Sequence, residues 1–201
     1  MLTARTCNRL LPALVVMTTL GCASGPAPRD HYYRLETAPP KALASPKLAG
    51  TLEVGRLRVE AISQGRRMLY RNLSQSGAIG QHAYHHWVDP PSVMLQDQLV
   101  QYLRSAGAAE NVVTPAVRVS SDYLVSGRIV QLERILGGSE PRIAVELELS
   151  LMRQEGRELL LLETYREERV APGGGVADAV TAYEQAITAI FERFLADIPS
   201  S

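Results

Sequence analysis

Between residues 142 and 154 the chain alternates strictly: Ile143, Val145, Leu147, Leu149 and Leu151 are apolar, while Glu146, Glu148 and Ser150 stand between them. A period of two places the first set on one face of a strand and the second on the other. One face must then be buried against a core and the other left in water, the usual arrangement in antiparallel sheets. The loop Gly137–Pro141 before this segment and the pair Glu155-Gly156 after it have hairpin chemistry. Strands over roughly 121–135, 142–154 and 157–170 are therefore expected to form an antiparallel meander.

Two helices frame the rest. Asp89 followed by Pro90 reads as an N-cap before a first helical turn, and Leu95, Leu99, Leu103 and Ala106 then recur at helical spacing up to Gly107, a left-handed cap. After Pro172 and Gly173–Gly175, the residues Val180, Tyr183, Ile187, Ile190, Phe194 and Ile198 keep a period near 3.6, and Pro199 ends the run. Further strands are expected at Tyr32–Leu35 and at Leu52–Glu60, the latter with a bulge at Gly55 where the alternation changes phase. A hairpin is expected from Met68–Leu73 and Gln81–Trp87. The order of strands, helix, strands, helix predicts a single α/β (α+β) domain over residues 31–199: a mixed sheet with an antiparallel meander and two principal helices.

The N-terminus has a different grammar. Arg5 and Arg9 precede the uncharged apolar run Leu10–Leu20, which is about half of the roughly 20 residues that a membrane span requires and contains Pro12. This is an export signal over residues 1–21, expected to be removed. The run ends in Thr19-Leu20-Gly21-Cys22, which resembles a lipobox, so Cys22 is expected to carry acyl chains. Cys7 leaves with the signal, and the mature chain keeps one cysteine, so no internal disulfide can form. Residues 22–30 are small and proline-rich and are expected to form a lipidated tether. Several acyl chains together hold a protein almost permanently at a bilayer. Ala23 after the cysteine, in place of Asp, resembles an outer-membrane address.

Loss of Arg5 and Arg9 leaves 19 basic against 21 acidic side chains. Such a balance lacks the clustered basic excess of a nucleic-acid binder. No serine-hydrolase elbow, zinc-protease motif, phosphate loop or dinucleotide fingerprint occurs, and Gly173–Gly175 precede a helix without the Lys-Ser/Thr pair of a phosphate loop. No catalytic set and no cofactor are expected. His82, His85, His86 and Asp89 invite a metal reading, but in a regular strand 82 and 86 share a face while 85 points to the other, so metal binding is not expected. The plain expectation is a polar strand end with Trp87 wedged under the following helix. Arg34, Arg71 and Glu133 are polar positions open to an ion pair, with solvated pairs as the ordinary outcome.

The chain resembles the ABC-type transport auxiliary lipoproteins. The resemblance rests on Tyr32-Tyr33-Arg34-Leu35, Leu69-Tyr70-Arg71, Tyr84-His85-His86-Trp87 leading through Asp89-Pro90-Pro91 into Met94-Leu95, Asp122-Tyr123-Leu124-Val125-Ser126-Gly127, and Leu132-Glu133-Arg134. Val88-Asp89 stands where relatives usually have Ala-Glu or a similar pair. The resemblance implies a three-layer mixed α/β domain and a non-enzymatic role beside an inner-membrane ABC transporter and a substrate-binding protein of the mammalian-cell-entry type. Such systems move lipids or other hydrophobic molecules across the periplasm, and the auxiliary lipoprotein would be their terminus at the cell outer membrane, facing the periplasm. A ring-shaped homo-oligomer would suit that position. Sheet edges, or the wet face bearing Glu146 and Glu148, are the expected docking surfaces. Two other readings compete: an envelope lipoprotein regulating a cell-wall synthase by contact, and a periplasmic hydrolase.

Overall fold

The computed structural model describes residues 28–75 and 78–200. The expected signal peptide, Cys22 and residues 22–27 of the expected tether lie outside the described residues. The elements run β1 (His31–Tyr33), β2 (Leu48–Val54), β3 (Arg67–Asn72), β4 (Ile79–Trp87), α1 (Pro91–Ala106), β5 (Ala109–Val113), β6 (Tyr123–Leu136), β7 (Arg142–Arg153), β8 (Glu158–Val170) and α2 (Val176–Asp197).

The eight strands form one mixed sheet with β6 as its spine. Along one edge β6 pairs with β7 from Tyr123↔Arg153 to Ile135↔Arg142, and β7 pairs with β8, so the expected meander is present. The other edge of β6 is shared by two parallel strands laid end to end. β2 lies beside its start, with Leu52 opposite Tyr123, and β3 beside its end, with Leu69 opposite Glu133. Beyond them β5 runs parallel to β2, β4 antiparallel to β3, and β1 parallel to β4. The expected hairpin is therefore β3–β4.

The alternating apolar residues Ile143, Val145, Leu147, Leu149 and Leu151 are fully buried. α2 covers β7 and β8, α1 leans on β5 and β2, and the two helices touch. Leu95, Leu99, Leu103 and Ala106 of α1 and Ile187, Ile190 and Phe194 of α2 enter the same core, each large side chain contributing about 1.5–3 kcal/mol by leaving water. Gly107 closes α1 at φ +69°, in the left-handed region.

Three expectations need correction. The strand read over Leu52–Glu60 begins earlier, at Leu48, and ends at Val54. Gly55 marks a departure and not a bulge: its N–H still donates to Val125 O at 2.8 Å, after which the chain touches β6 only through an isolated bridge from Arg58 to Arg128. Asp89 does not cap α1. Pro90 occupies the cap with extended backbone and no side-chain cap bond, because a residue before proline is pushed out of the helical region and both Asp89 and Pro90 precede one. Finally, β5 was not anticipated; its sequence, Ala-Glu-Asn-Val-Val, is too short and too polar to show a period.

Candidate functional site

The segments that carry the family resemblance are scattered in sequence and meet at two places along β6. At its start, Asp122 Oδ2 accepts the Thr51 N–H at 2.7 Å and so fixes the entry of β2. Gly50 sits there at φ +84°, and a Cβ on it would lie 2.2 Å from the same carboxylate oxygen. Farther along, a Cβ on Gly127 would lie 2.2 Å from Glu148 O, so glycine alone lets β7 approach. The string from Asp122 to Gly127 is thus a device for joining β2, β6 and β7.

At the far end of β6, Glu133 and Arg134 point to opposite faces. Glu133 is on the outer face. Its side chain is only 6% exposed and accepts from Arg71 at 2.9 Å and from Gln131 Nε2 at 3.0 Å. Arg71 is 41% exposed, so this is a half-buried pair and not a wholly solvated one. Arg134 is on the inner face and buried. Its guanidinium donates to Gly174 O at 3.0 Å and meets His82 Nε2 at 3.2 Å, and among the described residues no carboxylate pairs with it. A buried cation without a counterion is costly, and here carbonyl dipoles from the turn before α2 take the counterion's place.

The same inner pocket gathers the aromatic residues of β1, β3 and β4. Tyr33 OH lies 3.0 Å from His85 Nδ1, His31 stacks on His85 at 5.2 Å, and His82 meets Tyr70 at 4.9 Å and His85 edge-on at 5.6 Å. His82 and His85 therefore lie together, against the regular alternation expected from sequence. The cause is a register shift in the hairpin: Arg67 faces His86 but Leu69 faces Gln81, so β4 carries extra residues between its two paired stretches. His86 turns the other way, to Asp30 at 3.1 Å. Among the described residues no three His, Cys, Asp or Glu side chains are placed to hold a metal ion.

The electrostatics follow from this packing. Burial, then the Arg134 guanidinium, then His85 lower His82 to about 4. A neutral imidazole whose Nε2 lone pair receives the Arg134 N–H fits that environment. His85 is lowered by burial first, then by His31, Arg134 and His86. Tyr33 is raised by burial, against the pull of Arg134. Burial likewise lowers Arg134, although a guanidinium keeps its charge at neutral pH.

Not every expected residue joins the cluster. Arg34 and Asp89 are exposed. Trp87 is buried, but its ring stands edge-on to Tyr183 of α2 at 5.5 Å, where the sequence pointed to the helix that follows it. The carbonyls of Gly174 and Gly175 were missed; the run of three glycines before a helix was the available signal. Glu146 and Glu148 lie on the outer face as expected, half-buried and paired with Arg166 and Arg128.

A model of the ABC-type transport auxiliary lipoprotein component matches residues 33–193, from Tyr33 of β1 to Arg193 of α2. The chain belongs to that family. Its members are auxiliary lipoprotein components of ABC-type transport, which implies a membrane-anchored envelope protein. This auxiliary lipoprotein is similar in structure to a protein from Xanthomonas campestris, at TM-score 0.70 and 21% identity over 82% of this chain and 91% of that one. A second, uncharacterized protein is similar at TM-score 0.66 and 16% identity, over 85% and 99% of the two chains. At these identities the likeness is one of fold. No match was found among the curated proteins compared with the chain in sequence. Among the described residues no helix is long and apolar enough to cross a membrane.

Proposed function

We propose that this auxiliary lipoprotein is held at the outer membrane, on its periplasmic side, by acyl chains on Cys22, and there docks a substrate-binding protein of the mammalian-cell-entry type. The partner's inner-membrane ABC transporter would supply the energy, and lipids or other hydrophobic molecules would be the cargo. The protein contributes contact and position without catalysis. The family match across residues 33–193 carries this reading. The lipobox-like Thr19-Leu20-Gly21-Cys22 and the following Ala23 support the anchor and its address. The residues that resemble the family are spent on strand junctions and on one polar cluster, as expected of a scaffold whose surface is presented to a partner.

The test is made on protein purified from native membranes. Mass spectrometry of the N-terminal peptide should find acylated Cys22 with residues 1–21 removed, fractionation should place it with the outer membrane, and crosslinking should recover the mammalian-cell-entry partner. A bare thiol, or consistent recovery of a cell-wall synthase in place of that partner, would overturn the proposal. Closure of copies into a ring around a tube would appear as a defined oligomer in analytical ultracentrifugation, and a monomer at all concentrations would remove it.

A further inference from the structure

The charged residues of the sheet are not evenly neutralised. On β6, β7 and β8, Arg128 pairs with Glu148, Arg142 with Glu168, Arg153 with Glu158, Arg166 with Glu146 and Arg169 with Glu167. On the opposite wing, residues 66–87 hold Arg66, Arg67 and Arg71 and no acid. Among the described residues, only Arg71 of these three has a carboxylate partner. Arg34, just beyond β1, is exposed, and among the described residues no carboxylate pairs with it.

These cations are interleaved with rings. Tyr32, 54% exposed, stacks on His86 at 5.4 Å, and the Arg66 guanidinium lies over the Tyr32 ring at 5.7 Å. Arg67 faces His86 across the β3–β4 pair, so Tyr32, His86 and Arg67 share the outer face. Tyr84 on β4 is also exposed. Guanidinium groups match phosphate oxygens, and tyrosine, apolar in its ring and polar at its tip, settles at a headgroup layer.

The place of this patch decides its partner. Asp30, where the tether meets the domain, binds His86 within the patch itself. At about 3.5 Å per residue, the chain from Cys22 to Asp30 can reach at most about 28 Å. We infer that the outer face around Tyr32, Arg66 and Arg67 rests on a phospholipid bilayer, with the arginines on anionic headgroups and the tyrosines among them. The inference rests on the reading of Cys22 as lipidated, and it makes the tether a leash that holds the domain in one orientation.

The experiment uses full-length protein purified from membranes, with the mass of its N-terminal peptide measured first. It is reconstituted in vesicles of phosphatidylcholine alone or with about 30% phosphatidylglycerol, and amide exchange is followed. Peptides covering residues 29–35 and 64–72 should exchange several-fold more slowly on the anionic vesicles, β8 should not change, and about 0.5 M salt should erase the difference. Arg34→Gln/Arg67→Gln, which breaks no hydrogen bond or ion pair among the described residues, should erase it too. Equal exchange on both vesicles, or protection that survives salt, overturns the inference, the latter pointing to a protein surface. If the mass shows a bare thiol, the anchor reading has failed separately. The same protein is then floated with anionic vesicles, where salt-sensitive binding about 25-fold weaker in the double variant sustains the inference and no binding ends it.

Discussion

Glu133 and Arg71 form one bond but do not risk the same loss. Arg71, being 41% exposed, turns to water when its partner is removed, whereas Glu133 has only Gln131 left when Arg71 goes. Arg71→Ala should therefore cost about 1–3 kcal/mol and Glu133→Gln under about 1 kcal/mol, measured by urea unfolding. Equal costs would mean that water already reaches Glu133. His82 offers a second test, in pH. With a folded value near 4 and an unfolded value near 6.5, the unfolded chain binds the extra proton first as pH falls. Stability should drop between about pH 6.5 and 4 and level off below, with no contribution from this group above 6.5. His82→Gln should flatten that part of the profile. An unchanged slope would place the titration elsewhere. Arg71 and Glu133 stood out in sequence, with Arg34, as open to an ion pair, but which of them meet was hidden, as was His82 beside Arg134, because what joins each pair is strand register, to which the residues themselves hold no local clue.

At the scale of elements, glycines separate close approach from backbone strain. Gly127 lies in mid-strand where a Cβ would press on Glu148 O, while the left-handed Gly107 has open space where its Cβ would stand. Gly127→Ala should cost well over 2 kcal/mol, because β6 and β7 must separate, and Gly107→Ala about 1 kcal/mol of conformational strain. Thermal unfolding of the two variants compares them directly, and a milder Gly127 variant would show that the pairing there is loose. The meander and both helices were legible beforehand because each buries a periodic face long enough to count: five alternating residues in β7, and five at helical spacing in α2 with Ile198 at its cap. β5 lacks such a length. The extra residues in β4 were hidden because every residue from Gln81 to Trp87 suits a strand, so nothing marks the place where pairing breaks. The end of β2 was misread for the opposite reason: Leu57 and Val59 keep a strand's alternation after the chain has left regular pairing.

The whole molecule is held together by position more than by any single contact. β2–β5 and β1–β4–β3 are separate wings on one edge of β6, joined in sequence by Arg34–Lys47, by Gly55–Arg66 and by the helix-bearing segment after Trp87. Each wing alone would be a small sheet with one bare face. They become one body because the core is shared: Trp87 of β4 meets Tyr183, Tyr102 of α1 meets Phe191, and Tyr165 of β8 meets Phe194, so three remote parts close on the one helix α2. A helix that touches β4, α1 and β8 couples their unfolding, since losing it exposes apolar surface on all three at once. Calorimetry of the protein should therefore give one transition whose calorimetric and van't Hoff enthalpies agree. Phe191→Ala, at the middle of that series, should lower the single transition by the equivalent of about 3–5 kcal/mol without splitting it. Two resolved transitions, in either protein, would mean that the β1–β4–β3 wing folds by itself, and α2 would then be a clamp on finished parts and not the piece that makes them one.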